Sequence, residues 1–438
     1  MESHGLEQAA RRRIAIRLLP FVFLLYAIQY VDRVNVSFAN LRMSTDLGFS
    51  DRMFGLGAGI FFVGYVLFEI PGAIMVERWS ARKWIARIML SWGMVTVVTG
   101  FVHTAHQFYA ARFVLGVAEA SFFPGMIVYL THWFRLSDRA KAIAWLMAAV
   151  PTASVLGSLL AGWLLSVRWF GTAGWRWLFV VEGILPLILG VVTLFYLTDR
   201  PAQARWLSEA ERSWISQELE AEATVKKQIR SYTVWQALSS RRVLMLIVPW
   251  VLAQIGAQAV IFWIPTFIKR LSGLPASRVA LLVALWGLLG VFGMLLNGWH
   301  SDKTGERRWH ASIPLVCAGA AYLLIPGGSH FSISMALLAI GGGAFYSFYP
   351  AFWSLPTMVF TGTAAAASFG MINSVALIGG FIGPYAVGWL NDRTGGLSAA
   401  FLLIAVCYLL AGTALALIRI PAPSIAANLS AEQDLAPS

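Results

Sequence analysis

Six ionisable residues of this 438-residue chain lie inside long apolar stretches. Glu69 and Glu182 are expected near the ends of their stretches in structural roles, and the other four are Asp32, Arg33, Arg112 and Glu119. A charge at the centre of an apolar layer costs at least ~2.5–3.5 kcal/mol, so each side chain is expected to face the protein interior and to have a partner. Arginine binds a carboxylate in a bidentate manner, and a carboxylate can take up and release a proton. The residue types therefore predict a site that handles an organic anion together with protons.

Helical spacing assigns these side chains to faces. Arg112 and Glu119 are seven residues apart and share a face about two turns from each other. Tyr30 and Arg33 also share a face, whereas Asp32 points about 100° away from Arg33. We expect Tyr30, Arg33 and Arg112 to line a cavity while Asp32 turns toward a neighbouring helix. The alternative is that the carboxylates only neutralise the arginines.

The second half of the chain has no comparable charge within its apolar stretches and offers amides instead. Gln258 and Asn373 are the predicted ligand contacts there. Tyr65, in the second apolar stretch, either hydrogen-bonds a ligand or simply packs. Glu182 is expected near the outer end of the sixth stretch, in an ion pair with one of two arginines: Arg168 or Arg176.

The composition is that of a chain embedded in a bilayer. Hydrophobic residues make up 58% of the chain and charged residues 12%, about half the ~25% that is typical of a soluble domain. The net charge of +12 comes from short loops between apolar runs, so it indicates membrane topology rather than a nucleic-acid partner. Cys317 and Cys407 lie in apolar runs and the histidines lack ligand spacing, so neither a metal site nor another cofactor is predicted. A monomer is expected.

Twelve stretches are long and apolar enough to span a bilayer as helices, which predicts an all-α membrane protein. Basic residues concentrate in alternate loops and place both termini in the cytoplasm. The predicted domains are a first six-helix bundle over 1–198, a linker over 199–242, a second bundle over 243–420 and a disordered tail over 421–438. The predicted spans lie near 14–39, 54–76, 82–102, 107–132, 141–166, 177–197, 243–268, 279–299, 311–327, 331–359, 363–390 and 397–420.

The linker contains a helix-start signal. Ser208 and Glu211 have the spacing of a capping box, which predicts a surface helix over 207–222. Its function is either that of a hinge between the bundles or that of a solvated connector.

The two halves repeat each other. Pro124 and Pro350 are 226 residues apart, as are Trp163 and Trp389. Duplicated six-helix halves with a midplane site between them are typical of transporters that work by alternating access.

A charged loop recurs at matched positions of this repeat. It has the pattern acidic-basic-x-Gly-x-basic-basic, with Ser80 in place of glycine in the first copy. Glycine there allows a tight turn in which the carboxylate meets the cations. We expect a cytoplasmic latch that changes between two states, and the alternative is membrane anchoring alone. The predicted gating residues are Glu77, Arg78 and Arg82 in the first copy and Asp302, Lys303, Gly305 and Arg307 in the second.

These motifs together resemble the anion:cation symporter branch of the major facilitator superfamily, over about residues 12–420. The resemblance is nearest to bacterial tartrate and hydroxyphenylacetate permeases and more distant to sugar-acid symporters. It rests on five segments: Tyr30-Val31-Asp32-Arg33-Val34-Asn35, Phe62-Val63-Gly64-Tyr65-Val66-Leu67-Phe68-Glu69-Ile70-Pro71, Arg112-Phe113-Val114-Leu115-Gly116-Val117-Ala118-Glu119-Ala120, Gly174-Trp175-Arg176-Trp177-Leu178-Phe179-Val180-Val181-Glu182-Gly183 and Phe262-Trp263-Ile264-Pro265-Thr266.

The resemblance implies roles for individual residues. Asp32 and Glu119 would serve proton coupling. Arg33 or Arg112 would hold the substrate carboxylate, with Tyr30 and Tyr65 at its other end and Asn373 as a contact from the second half. The sequence Leu377-Ile378-Gly379-Gly380 lacks the asparagine that relatives often carry before the paired glycines, which favours a smaller or more apolar anion than a sugar acid.

The leading hypothesis is therefore a proton-coupled importer of a small organic anion in the bacterial inner membrane. The alternatives are an exporter or exchanger of the same class of anion, and a membrane sensor that binds a solute without transporting it. An enzyme is not expected, since the sequence has no nucleophile–base pair, metal cluster or phosphate loop.

Overall fold

A computed structural model describes residues 2–228, 241–325, 330–359 and 362–418. Within these ranges the chain forms α-helices and short 3-10 turns and contains no strand, which confirms the all-α prediction. The α-helices are α1 (Glu2–Leu47), α2 (Asp51–Arg78), α3 (Ala81–Thr99), α4 (Ala105–Glu119), α5 (Phe122–Thr131), α6 (Leu136–Met147), α7 (Ala149–Leu164), α8 (Gly174–Tyr196), α9 (Glu209–Gln228), α10 (Arg241–Ser272), α11 (Ala276–Thr304), α12 (Arg308–Leu324), α13 (Phe331–Val359), α14 (Gly362–Thr394) and α15 (Ser398–Leu417).

Ten helical segments of the described chain are long and apolar enough to cross a membrane. Two of them combine consecutive helices, α4 with α5 and α6 with α7. Two of the predicted spans are not among these ten. The predicted span 82–102 corresponds to α3, whose first turns carry three basic residues, and the predicted span 311–327 corresponds to α12, which has 17 residues. The count of twelve spans and the cytoplasmic position of the termini stay predictions.

The fourth span is interrupted close to its middle. Helix α4 ends at Glu119 and α5 begins at Phe122, because Ser121 takes a left-handed conformation with φ of 67°. A non-glycine residue in this region costs about 1–3 kcal/mol, so the surrounding structure must hold it there. Gly72 of α2 makes room for it, since a Cβ at Gly72 would clash with the Ser121 side chain. The break leaves Glu119 at the very end of a helix.

The structure divides into two compact units. The first contains residues 1–39 and 63–229, and the second contains residues 40–62 and 230–438. In the first unit α3 and α8 approach closely through glycines, because a Cβ on Gly93 would lie 2.7 Å from the backbone oxygen of Gly183. Small residues of this kind allow helix backbones to pack directly in a membrane. The domain boundaries drawn from the sequence stay a prediction.

The second unit includes the segment 40–62, where α1 ends and α2 begins. Asn40 donates a hydrogen bond to Thr266 at 3.1 Å. The Asp392 carboxylate accepts hydrogen bonds from the backbone N–H groups of Asp51 and Arg52, both at 3.0 Å. An anion at this position satisfies the free N–H groups of the first turn of α2 and complements its helix dipole.

The linker helix α9 begins with the predicted capping box. The backbone N–H of Glu211 donates to the Ser208 hydroxyl at 3.3 Å, and the backbone N–H of Ser208 donates to the Glu211 carboxylate at 2.8 Å. The helix continues to Gln228, beyond the predicted end at residue 222. The remainder of the predicted linker and the predicted tail over 421–438 fall largely outside the described residues.

Candidate functional site

A buried ion pair joins α1 and α4 in the first unit. Arg33 donates to Glu119 Oε1 from Nη2 at 2.7 Å and from Nε at 3.2 Å. Gln29, one turn before Arg33, donates to the same oxygen. The Glu119 side chain is 1% exposed and that of Arg33 is 22% exposed, so solvent or a ligand can reach the arginine and not the carboxylate. The second oxygen of Glu119 has no hydrogen-bond partner within the described part of the chain.

Asp32 faces away from this pair. Its Oδ2 accepts a hydrogen bond from Thr96 of α3 at 3.1 Å, and its Oδ1 accepts one from Asn35 at 3.2 Å. The side chain is buried. This is the orientation that the helical spacing predicts, with the carboxylate turned toward a neighbouring helix.

Arg112 on α4 is fully buried and interacts electrostatically with both Asp32 and Glu119. The structure therefore brings these four charges of the prediction into one cluster within the first unit. Two guanidinium groups lie among two carboxyl groups there, which lowers the cost of burying them. We call Asp32, Arg33, Arg112 and Glu119 the charge cluster.

Tyrosines border the exposed side of the charge cluster. The Arg33 guanidinium carbon lies 5.2 Å from the ring centroid of Tyr65, a cation–π contact. Tyr26 is buried nearby and interacts with Arg33 and with Tyr30, one turn further along α1. Tyr30 is half-buried. Aromatic faces and hydroxyl groups thus surround Arg33, one of the two cations that the prediction offers to the substrate.

Glu182 does not lie where the sequence predicts it. It is nine residues into α8 and 2% exposed, and it interacts with Asp32 and Asn35. The predicted pairing with an arginine at the outer end is therefore wrong. Arg176, one candidate partner, donates instead to the backbone oxygens of Gly100 and Val102 at 2.8 and 3.1 Å. The stretch around Glu182 lies deeper because α8 begins at Gly174 and packs closely on α3.

The predicted contacts in the second unit lie on two helices. Gln258 on α10 and Asn373 on α14 are both half-buried. One turn before Gln258, Gln254 accepts a hydrogen bond from the Tyr349 hydroxyl of α13 at 3.2 Å. These residues of the second unit therefore supply polar, uncharged groups, as the sequence indicates.

The first copy of the charged loop is built around Ser80 rather than a glycine turn. Ser80 is extended and caps α3, with its hydroxyl accepting from the backbone N–H of Lys83 at 3.1 Å. The same hydroxyl contacts both oxygens of Asp199 at 2.8 and 2.9 Å. The backbone N–H of Arg82 also donates to Asp199, at 2.9 Å. Arg78 is exposed.

Glu77, the acidic residue of this first copy, lies on α2. Its side chain falls outside the described part of the structure.

The second copy forms the tight turn that the sequence predicts. Gly305 ends α11 with φ of +70°, a conformation that glycine adopts without strain. Arg307 forms an ion pair with Asp302 at 2.5 Å. Lys303 lies over the ring of Trp299, 5.3 Å from its centroid. The acidic and basic ends of this copy therefore meet across the turn.

Sequence reasoning missed several partners of the charge cluster: Gln29, Asn35, Thr96 and Tyr26. Helical spacing could have indicated two of them. Asn35 is three residues from Asp32 and Gln29 is four residues from Arg33, so each shares a helix face with its partner. No spacing in the sequence could have indicated Thr96, since its contact with Asp32 depends on how α3 packs beside α1.

Comparison with known proteins identifies the family. The description "Major Facilitator Superfamily" matches residues 22–384. A protein of Agrobacterium vitis named "Putative tartrate transporter" is 44% identical over 402 residues, which are 91% of this chain and 92% of that protein. A "Quinolone resistance transporter" of Acinetobacter baumannii is 33% identical over 405 residues, 92% of this chain and 93% of that protein.

The fold agrees with this assignment. The solved structure of a bacterial homologue of the human lysosomal transporter Spinster superposes with a TM-score of 0.76 at 18% identity, covering 91% of this chain and 96% of that one. These relatives are transporters and not enzymes, and the resemblance seen in the sequence motifs is confirmed. The chain is a multi-pass membrane transport protein that belongs to the Major Facilitator Superfamily.

Proposed function

We propose that this protein imports a small organic anion together with protons across the bacterial inner membrane, by alternating access. The observation that carries the proposal is the Arg33–Glu119 ion pair, in which a partly exposed cation is held by a buried carboxylate. We assign the coupled proton to that carboxylate. The anion is a carboxylate of the tartrate-like, sugar-acid or aromatic class. The name of the Agrobacterium vitis relative supports tartrate as the first compound to test.

Coupling follows from competition for Arg33. While Glu119 is ionised it occupies the Arg33 guanidinium through two hydrogen bonds. A proton on Glu119 removes the charge that holds the guanidinium, so that a substrate carboxylate can take its place. Release of that proton after the change of state restores the ion pair and expels the anion. Each ligand thereby favours the other, as reciprocal coupling requires.

Charge balance supports the same conclusion. The charge cluster contains two cations and two carboxyl groups. One monovalent anion and one proton together leave its net charge unchanged, whereas an anion alone would add a charge where burial is costly. A dicarboxylate needs a second proton by the same argument. We assign this second proton to Asp32, which is buried and hydrogen-bonded to Thr96.

Uptake into proteoliposomes tests the proposal. The purified protein is reconstituted and radiolabelled tartrate is supplied outside at pH 5.5 with pH 7.5 inside. We expect accumulation above the outside concentration that collapses when a protonophore is added. Binding without accumulation would contradict the transport proposal and favour a sensor, and accumulation insensitive to the protonophore would contradict proton coupling.

Export or exchange is the second candidate function. It is favoured by the Acinetobacter baumannii relative, whose name associates it with resistance to quinolones. Everted and right-side-out vesicles from the same cells distinguish the two directions, because a proton gradient directed toward the cytoplasm drives symport inward and antiport outward. We expect gradient-driven accumulation of the anion in right-side-out vesicles, and accumulation only in everted vesicles would establish export.

A further inference from the structure

A cavity of about 340 Å³ lies within the first unit, away from the charge cluster. It is bounded by the N-terminal part of α1, by α6 and the loop before it, and by the linker helix α9. Residues of two kinds line it. The polar ones are Gln8, Arg11, Arg12, Arg135, Asp138 and Lys141, and the apolar ones include Leu19, Trp133, Trp145 and Ile215.

The polar part of the cavity has an excess of positive charge. Four cations line it against one carboxylate. Arg11 pairs with Asp138, and Arg135 pairs with Glu7 at 2.8 Å. Within the described residues no carboxylate lies at ion-pair distance from Arg12 or Lys141, which are both exposed. These two side chains are positioned to bind an anionic group.

Charge and hydrophobicity are separated along the axis of the cavity. Arg12 and Leu19 lie on one face of α1, about 10 Å apart along the helix. Lys141 and Trp145 lie on one face of α6, about 6 Å apart. The two helices run in the same direction, because Arg11 contacts Asp138 near the charged end, whereas the rings of Phe23 and Trp145 lie 6.5 Å apart deeper in the bundle.

The apolar end is open. Trp145, which lines this end, is 57% exposed. Tryptophan is enriched where a membrane protein meets the interface between lipid and water. The charged end belongs to the part of the sequence whose basic residues predict the cytoplasmic side, where the leaflet contains anionic lipids. The cavity thus has a cationic end toward water and an apolar end toward acyl chains.

We propose that this cavity binds one anionic phospholipid, with its phosphate at Arg12 and Lys141 and the start of its acyl chains along Leu19 and Trp145. A free phosphate or carboxylate would use the cationic end and leave the apolar end without a role. The lipid would contact α1, α6 and, through Ile215, the linker helix α9, whose carboxylates already bind Arg13 and Arg135. The site is separate from the charge cluster and does not depend on its transport role.

Native mass spectrometry of the full-length protein tests the proposal. The protein is titrated with phosphatidylglycerol or phosphatidylcholine, and the double variant Arg12→Gln/Lys141→Gln is compared with the wild type. We expect one phosphatidylglycerol to bind the wild type at least ten-fold more tightly than phosphatidylcholine. The double variant should lose that preference, because both unpaired cations are removed.

Two matched variants separate this site from non-specific lipid binding. Arg168→Gln removes an exposed cation beside an exposed tryptophan at another position of the first unit, and it should keep the wild-type preference. Trp145→Ala leaves the cations intact. It should weaken the binding of phosphatidylglycerol and leave the binding of glycerol 3-phosphate unchanged. An unchanged preference in the double variant, or equal loss in Arg168→Gln, would overturn the proposal.

The source of the anion is distinguished in the same experiment. Glycerol 3-phosphate and inorganic phosphate are added as competitors to the wild type bound to phosphatidylglycerol. Because they lack acyl chains, we expect them to displace the lipid only at concentrations at least a hundred-fold higher. Displacement at equal concentration would assign the cavity to a free phosphate instead of a lipid.

Discussion

The two halves of this transporter repeat each other in sequence but differ in what they place at the centre of the membrane. The first half contains the charge cluster, where Arg33 is hydrogen-bonded to Glu119 and Asp32 to Thr96. The second half presents amides and aromatic rings, such as Gln254 with Tyr349. Both halves form helices, whereas the residues of the charge cluster all lie in the first half. We infer that proton coupling belongs to the first half and that the second half contributes shape and neutral hydrogen bonds.

The largest effect is expected from removing the titratable group of the first half. In Glu119→Gln no proton can bind to the group that holds Arg33, so gradient-driven accumulation should fall sharply, whereas counterflow exchange of labelled for unlabelled anion should continue. The control is Glu209→Gln, which removes an exposed carboxylate of α9. Both are measured in proteoliposomes. Wild-type accumulation by Glu119→Gln would show that this carboxyl does not couple the proton.

A large loss of affinity is expected from Arg33→Ala. Hydrogen bonds to a charged group contribute about 1.5–3 kcal/mol, so the Kd of the anion should rise about 10- to 100-fold. Arg33→Lys keeps the charge but not the planar guanidinium, and it should have an intermediate Kd. Calorimetric titration of samples that elute as a single folded species measures both. Unchanged affinity in Arg33→Ala would contradict anion binding at Arg33.

Smaller effects are expected from the amides of the second half. Gln258→Ala and Asn373→Ala each remove a neutral hydrogen bond worth about 0.5–1.5 kcal/mol, which corresponds to a KM about 2- to 12-fold higher. The dependence of uptake on the proton gradient should be unchanged in both. Uncoupled uptake in either variant would contradict the division of roles between the halves.

The smallest effects on transport are expected from the charged loops, where substitutions should act on stability. The two copies form the same motif in two ways. Gly305→Ala places a side chain at φ of +70° and should cost about 1–2 kcal/mol. Ser80→Gly keeps an acceptable helix start but loses the hydroxyl bound to Asp199, so its cost should be below about 1.5 kcal/mol. Thermal unfolding of the purified variants ranks the two. A lower Tm for Ser80→Gly than for Gly305→Ala would reverse this comparison.

Much of the fold and part of the candidate site follow from local sequence. Periodicity places Asp32 on a different face from Arg33, and the Ser208–Glu211 spacing predicts the cap of α9 that the structure contains. The pairing of Arg33 with Glu119 joins residues 86 positions apart, so it depends on how α1 and α4 pack. No local pattern specifies that distance.

Two other features were beyond local reasoning for the same reason. The break after Glu119 requires Ser121 in a left-handed conformation, which is possible because Gly72 of another helix leaves the space. Ser80 departs from the glycine of the loop motif, and the structure explains this residue, because its hydroxyl donates a hydrogen bond to Asp199. In each case a residue more than 40 positions away determines the local structure.

Proton movement during anion entry tests the central claim most directly. Proteoliposomes containing a pH-sensitive dye are mixed with tartrate at equal pH on both sides, and the interior is followed for acidification. We predict acidification that begins with tartrate and is much smaller in Glu119→Gln, because the proton that Glu119 takes up is lost in this variant and only the one assigned to Asp32 remains. Tartrate entry without acidification of the interior, or equal acidification in Glu119→Gln, would contradict it.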